Sequence, residues 1–275
     1  GFGMDDLSDE LYRKITQDAF HTRMDIPQRV VRFDDDFKIV EFRNENGQLH
    51  RVGGPAVIEY YDGDLHSESW YKNGEPHRDN DEPGYIKYDT QHREDGNVIV
   101  MIWYKNGKVY RDGDEPSIIR YRPWIWGESV KKEWYNKNGQ PHRVGGPAKV
   151  TYTGTGEIKE EEWYKNGKRH REGDEPAHTI RYAFWDADSD TNVVLYNKPR
   201  HQFWYKNGHI HRVKGPAHVE WHYPLVGPAS GSLWDHLVYN EQYYLRGVKY
   251  ASRVNHAETV DAMKDVVIGA VGYKT

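Results

Sequence analysis

Five His-Arg pairs recur along the chain, and they are the first residues whose types suggest chemistry. The pairs are His50-Arg51, His77-Arg78, His142-Arg143, His170-Arg171 and His211-Arg212, with Tyr110-Arg111 in one equivalent position. An imidazole can transfer a proton, and a line of guanidinium groups can bind phosphates or carboxylates. Catalysis, however, needs unlike groups that converge in one pocket. We therefore predict that most pairs are structural, with the ring stacked on tryptophan and the arginine bonded to neighbours or loop carbonyls. Anion binding by the arginines is the alternative.

Two further patterns contain residue types that bind metals. His218, Glu220 and His222 fall on one face of a predicted strand, and three such ligands could hold zinc. Acidic loops at 112–115 and 173–175 resemble calcium-binding turns but have too few ligands for a complete site. We expect chance proximity for the histidines, an arginine-anchoring role for the acids, and no cofactor.

Other catalytic chemistries are excluded by the sequence. The chain has no cysteine, which removes disulfides, thiol nucleophiles and Cys-ligated zinc. It also has no phosphate-binding loop, nucleophile elbow or HExxH motif. We therefore predict that the protein is not an enzyme.

The His-Arg pairs belong to a repeated segment, of which WYKNGKRHREGDEPA at 163–177 is a well-defined copy. Asn-Gly between extended residues predicts a two-residue hairpin turn, because both central positions of such a turn take positive φ. Copies one and four have an extra residue before the turn, which predicts wider loops. A seventh copy, around Gly247, is degenerate. The turn glycines of the six clear copies are Gly47, Gly74, Gly107, Gly139, Gly167 and Gly208.

Within one copy, the turn sets which residues face each other. Pairing outward from the Asn-Gly turn of the fifth copy places Trp163 opposite His170 and Glu162 opposite Arg171. Successive pairs point to opposite faces of a ladder. We therefore expect a Trp–His contact on one face of most hairpins and a Glu–Arg contact at the next pair.

A proline follows each His-Arg loop and begins an alternating segment such as Ala56-x-Ile58-x-Tyr60, which predicts a strand with one apolar face. The fifth copy slips to Ile180 and Tyr182, which indicates a bulge. Hydrophobic residues are only 36% of the chain, yet it contains 21 Tyr and 10 Trp, so aromatic rings must supply the core. The predicted fold is mainly β, an elongated antiparallel meander of hairpin repeats.

Two terminal segments have helical patterns instead. LSDELYRKITQDAF places Leu11, Ile15 and Ala19 on one face, and NHAETVDAMKDVVIGAVG begins with Asn255 three residues before Glu258, as in a capping box. We predict an N-terminal helical segment at 1–28, a repeat domain at 29–253 and a C-terminal helix at 254–275.

The repeated copies resemble MORN-type β-hairpin repeats, and most of all the variant written WYKNG-x-x-HR-x-x-GPA that is familiar from proteins of tailed bacteriophages and large DNA viruses. The resemblance covers Phe42 to Trp221 and continues more weakly, through the degenerate seventh copy, to Arg253. It implies an extended, twisted antiparallel sheet that serves as a scaffold or binding surface. Some members of this class are linked to lipid contact, and related bacterial variants to toxin neutralisation.

From these observations we predict a non-enzymatic protein-interaction or structural module, viral or phage, that acts as a particle component or as an inhibitor of a host factor. The alternative is a repeat protein that binds glycans or cell-wall polymer through its aromatic rows. The partner is expected to be a viral or host protein or a second copy, in the host cytosol or the virion. The predicted partner-binding residues are Tyr71, Arg78, Tyr104, Arg111, Tyr164, Arg171, Tyr205, Arg212, Trp185 and Trp234.

The net charge and the hydropathy of the chain restrict the class of partner further. The net charge is −5 with histidine neutral, so no global attraction to nucleic acid is expected. No apolar run has the length of a membrane span, so none is predicted.

Overall fold

The computed structural model describes residues 28–34, 36–90, 97–122, 129–181, 199–222 and 237–257. All regular structure in these residues is β-strand, which confirms the prediction of a mainly β chain. The predicted N-terminal helix lies outside the described residues, apart from Gln28, and so do Trp185 and Trp234. The described part of the chain contains no helix with the length and apolar character that crossing a membrane requires.

The strands fall into two classes: those of the sheet have 4 to 10 residues, and those in the hairpin arms beside the turns have only 2. In chain order they are β1 (Gln28–Asp34), β2 (Phe37–Arg43), β3 (Val57–Tyr61), β4 (Asp64–Ser69), β5 (Tyr71–Lys72), β6 (Glu75–Pro76), β7 (Tyr85–Tyr88), β8 (Val98–Ile102), β9 (Tyr104–Lys105), β10 (Lys108–Val109), β11 (Ile118–Arg122), β12 (Ser129–Glu133), β13 (Lys149–Thr153), β14 (Ile158–Glu162), β15 (Tyr164–Lys165), β16 (Lys168–Arg169), β17 (His178–Arg181), β18 (Pro199–Phe203), β19 (Tyr205–Lys206), β20 (His209–Ile210), β21 (His218–His222), β22 (Leu237–Leu245) and β23 (Val248–Ala257).

The chain divides into two compact units, residues 1–108 and 109–275. In the first unit the sheet runs β1-β2-β3-β4-β7-β8, and in the second it runs β11-β12-β13-β14-β17-β18-β21-β22-β23. The long strands are therefore neighbours in chain order within each unit, as the antiparallel meander predicted. The short strands pair among themselves as small hairpins beside the sheet, for example β15 with β16 and β19 with β20.

The Asn-Gly turns have the predicted backbone. Asn166 and Gly167 have φ of 48° and 82°, so both central positions lie in the left-handed region that a two-residue turn requires. The wider turns of copies one and four place a single positive φ at the glycine, 73° at both Gly47 and Gly139. The β17–β18 ladder shifts register after Ile180, but the extra residue, Arg200, lies in β18, whereas β17 pairs with β14 in regular register, so the bulge is not in the strand for which it was predicted.

Tryptophan and alanine supply most of the buried core. One cluster is built on Trp204, Ala217, Val219 and Trp221, with exposed fractions of 4%, 0%, 4% and 2%. The alanine that follows the loop proline is fully buried in this copy and equally in the others that have it. A methyl group at this position leaves room for the large ring beside it, so aromatic packing replaces aliphatic packing as predicted.

The predicted start of the C-terminal helix is wrong. Strand β23 continues to Ala257, and Asn255 pairs with Tyr239 across the ladder. Asn255 therefore lies in a strand and cannot cap a helix at this point. The β22–β23 ladder extends through ten residues of β23, and its backbone hydrogen bonds outweigh the local capping signal. Residues 258–275 lie outside the described part of the chain.

Candidate functional site

The arginine of each His-Arg pair stacks on the aromatic ring that begins its own copy. The guanidinium carbon of Arg171 lies 4.0 Å from the ring centroid of Trp163. The same contact, at 3.8 to 4.0 Å, joins Arg51 to Phe42, Arg78 to Trp70, Arg143 to Trp134 and Arg212 to Trp204. A planar cation on an aromatic face is favourable by cation–π attraction and by exclusion of water.

This contact corrects the predicted Trp–His stack and the predicted partner of Glu162. Arg171, and not His170, covers Trp163. Glu162 accepts hydrogen bonds from Arg169, at 2.7 Å from Nη2, instead of facing Arg171. The reason is the length of the ladder. The N–H of His170 donates to the carbonyl of Trp163 at 3.0 Å, so these two residues lie opposite each other as predicted. The N–H of Trp163 donates to Ala177 instead, the ladder ends after two pairs, and strict alternation no longer sets the direction of the side chains at 170 and 171.

The remaining donors of the arginine are used within the chain as well. Arg212 donates from Nη1 to the carbonyl of Pro216 at 3.3 Å, and from Nε and Nη2 to the carboxylate of Asp174 at 2.8 Å each. Asp174 belongs to the acidic loop of the preceding copy. Arg143 binds Asp114 in the same bidentate way, at 2.9 and 2.8 Å, and this contact lowers the pKa of Asp114. The predicted arginine-anchoring role of the acidic loops is confirmed at these two positions.

The histidine of the pair joins its copy to the next one. The Nδ1 atom of His142 accepts the backbone N–H of Asn166, in the following turn, at 3.2 Å. A second bond runs beside it, from the N–H of Gly167 to the carbonyl of Pro141 at 2.9 Å. The equivalent histidine contacts are His50 with Asn73, His77 with Asn106, His170 with Asn207 and His211 with Arg246.

The two copies that no histidine precedes supply this acceptor themselves. In the fourth copy, which follows Tyr110, the N–H of Asn138 donates to Oδ1 of Asn136 at 3.0 Å. In the first copy, Asn46 donates in the same way to Asn44 at 3.1 Å. The extra residue before these turns thus provides an asparagine that replaces the missing histidine. Sequence reasoning predicted the wider turn but missed this purpose.

The predicted partner-binding arginines are therefore engaged inside the chain. The side chain of Arg212 is 2% exposed, and Arg171 also donates to the carbonyl of Pro176. Tyr164 donates its hydroxyl to Glu162, and burial beside this carboxylate raises the pKa of Tyr164 to about 12. Tyr71, Arg78, Tyr104, Arg111 and Tyr205 occupy the equivalent half-buried positions of their copies. Their role towards a partner stays a prediction.

The hairpin turns of the second unit carry a further set of cations, which are exposed, unlike the arginines of the His-Arg pairs. Successive turns are joined by backbone bonds from Gly167 to Pro141, Gly208 to Arg169 and Gly247 to Ile210, so the turns form one continuous row. We call its exposed cations the lysine ridge. The lysine ridge consists of Lys137, Lys165, Lys168, Lys206, Arg246 and Lys249. An acid pairs with one of them, Glu172 with Lys165 at 2.7 Å. The sequence signal for this ridge was the lysine or arginine beside each turn, but these residues are part of the repeat motif and were interpreted as part of the turn.

The structure places the three predicted metal candidates on β21, and two of them, His218 and Glu220, lie near His201. Nε2 of His218 lies 3.4 Å from Nδ1 of His201, and its ring stacks on Phe203 at 4.1 Å. Glu220 lies 3.8 Å from the same His201. His222 ends the strand, and its side chain is not among those described. Within the described residues, ligand atoms converge on a neighbouring set on β14 and β17 instead.

No protein-family model, curated protein or solved structure matches the chain. The resemblance to MORN-type repeats consequently stands on the repeated residues alone.

Proposed function

We propose that the chain is a non-enzymatic interaction module that binds an acidic segment of another protein along the lysine ridge. The observation that carries this proposal is the separation of two kinds of polar group. The arginines, histidines and loop aspartates of the described copies are engaged within the chain, whereas the turn cations are exposed.

The geometry of the ridge supports recognition of an extended partner. The turns of the last three copies are each fixed to the preceding hairpin by a histidine contact and a backbone bond, so their cations are spaced along a row that begins at the turn of Lys137. Exposed like charges in a row raise the local potential and attract an oppositely charged segment. Contacts between exposed charges on two proteins contribute more to the association rate and to specificity than to affinity, which is typical of a docking surface.

The MORN-type resemblance agrees with a scaffold of this kind. On that resemblance we propose a viral or phage source, with the protein acting as a particle component or as an inhibitor of a host factor. The partner is then a viral or host protein, or a second copy of the chain, in the host cytosol or the virion. Mass spectrometry of purified particles distinguishes the two roles.

Glycan binding, the alternative, needs exposed aromatic faces on which sugar rings can stack. In the described copies one face of Trp134 is covered by Arg143 and one face of Trp204 by Arg212. Both indoles are less than a tenth exposed. These tryptophans thus belong to the core, and the hypothesis of glycan binding has less support than the hypothesis of a protein partner.

A capture experiment with matched charge reversals tests the proposal. The ridge variant is Lys137→Glu, Lys168→Glu and Lys206→Glu. The control variant, Arg122→Glu, Lys159→Glu and Lys214→Glu, changes the net charge equally at exposed positions off the ridge. Immobilised protein is exposed to extract from the native source, treated with nuclease, and to a glycan array. We expect one stoichiometric protein on the unmodified chain and on the control variant, and its loss on the ridge variant. Strong glycan signal without a protein partner contradicts the proposal.

A further inference from the structure

Two carboxylates and an imidazole converge on one face of the second unit's sheet. Glu162 on β14 is the direct cross-strand partner of His178 on β17, and Glu160 lies two residues before Glu162 on the same face. One ligand atom from each of these side chains lies within 4.8 Å of the others. Nε2 of His178 is 2.8 Å from Oε1 of Glu160. Sequence reasoning missed this set because its members lie on strands that the fifth hairpin and its loop separate.

Neighbouring residues hold the set in place and keep it mostly out of solvent. The side chains of Glu162 and His178 are 9% and 10% exposed, whereas that of Glu160 is 33% exposed. Tyr164 and Arg169 donate three hydrogen bonds to Glu162, and all three reach Oε2. No described residue donates to its Oε1. A carboxylate oriented by outer hydrogen bonds while one oxygen stays available is the arrangement that metal sites use.

The charges of the set also suit a cation. Glutamate side chains ordinarily ionise well below neutral pH, so both groups are carboxylates there. Arg169 compensates one of these charges, which leaves one negative charge beside the imidazole. Zinc holds nitrogen and oxygen ligands at roughly 2.0–2.2 Å, so an ion among these three atoms would draw them closer together than the 4.8 Å that now spans the set.

We propose that Glu160, Glu162 and His178 form a binding site for a divalent transition metal ion, with Zn²⁺ as the ion best matched to one nitrogen and two oxygen ligands. The ion takes the place of the proton between Nε2 of His178 and Glu160. A fourth position points to the more exposed side of Glu160, where water completes the coordination. The bound ion clips β14 to β17, two neighbouring strands of the sheet.

Zinc binding by the EDTA-treated full chain tests this site. We expect titration with ZnSO4 to give one strong site per chain, and saturating zinc to raise the melting temperature by roughly 5–10 °C. Co²⁺ in the same site gives visible d–d absorption, which zinc abolishes. Glu160→Gln and His178→Gln are each expected to weaken binding at least about tenfold, since each removes a direct ligand.

The neighbouring His201–His218 pair supplies the control. His218→Gln should leave the zinc affinity and the cobalt spectrum unchanged, because this ring contacts Phe203 and His201 and not the proposed ligands. If His178→Gln fails to fold, Glu160→Gln decides, because Glu160 is the most exposed member. The site is overturned if the unmodified chain does not bind zinc at about 100 μM, if Glu160→Gln binds as tightly as the unmodified chain, or if His218→Gln abolishes binding.

Discussion

The imidazole of His142 accepts the backbone N–H of Asn166 through Nδ1, and this bond joins the second arm of one hairpin to the turn of the next. The contact explains why histidine recurs in the repeat. A ring nitrogen with an in-plane lone pair reaches an amide that no strand partner satisfies. Tyr110 holds the same position before a turn that satisfies its own amide, so the exception follows the same logic.

Replacement of His142 by leucine should destabilise the second unit by about 1 kcal/mol, the usual net value of one hydrogen bond in a partly exposed position. Urea unfolding measures the loss. Amide hydrogen exchange gives the specific readout, since the Asn166 N–H should exchange faster while distant amides do not. His209→Leu is the matched control, because His209 is exposed at a turn, and its stability should change by less than about 0.5 kcal/mol.

Asn136→Ala tests the self-satisfied turn of the fourth copy. Oδ1 of Asn136 accepts the N–H groups of Asn138 and Gln140 at 3.0 and 3.1 Å. Its loss should cost about 1–2 kcal/mol, because two turn amides lose their acceptor. Asn136→Asp keeps an acceptor oxygen and should retain most of the stability. Equal losses in both variants would show that the side-chain oxygen is not what holds this turn.

Arg212→Lys should destabilise the chain by about 2–3 kcal/mol. Lysine cannot reproduce the bidentate bonds to Asp174 or the flat stack on Trp204, and the site is buried. Thermal unfolding measures the effect. The same substitution at exposed Arg122 should be nearly neutral. If Arg212→Lys is as stable as the unmodified chain, a positive charge alone is sufficient at this position, and neither the bidentate bonds nor the flat stack is needed.

The Asp114–Arg143 pair makes stability depend on pH. Arg143 lowers the pKa of Asp114 below its ordinary value of 3.8, so the pair's stabilisation is fully present above that value and is lost as pH falls through the lower folded-state pKa. Asp114→Asn should therefore be less stable than the unmodified chain at neutral pH, and the difference in stability should close as the pH falls through the lowered pKa of Asp114. Unfolding curves across this range check it. A constant gap would assign the effect to something other than this carboxylate.

The sequence predicted those parts of the fold that are encoded locally. The left-handed φ of Asn166 and Gly167 follows from their residue types, and the meander follows from turns that recur between alternating segments. These features need no knowledge of which copies touch.

The contacts between copies could not be read in the same way. Asp174 and Arg212 lie 38 residues apart, and the spacing of copies is irregular. Which side chain covers Trp163 depends on where the chain leaves the ladder, after Arg169, and the two-residue alternation of a strand does not indicate that point. One signal was available, because the wider turns occur in the two copies that no histidine precedes.

The binding constant of the captured partner tests the central claim most directly. Isothermal titration of the purified partner into the chain is carried out at about 50 and 200 mM salt, a range over which exposed charges become screened. We predict that the Lys137, Lys168 and Lys206 reversals weaken binding at least about tenfold, with a smaller salt dependence, whereas the control reversals at Arg122, Lys159 and Lys214 change it less than about twofold. Equal weakening by both variants, or none by either, would contradict a partner that docks on the lysine ridge.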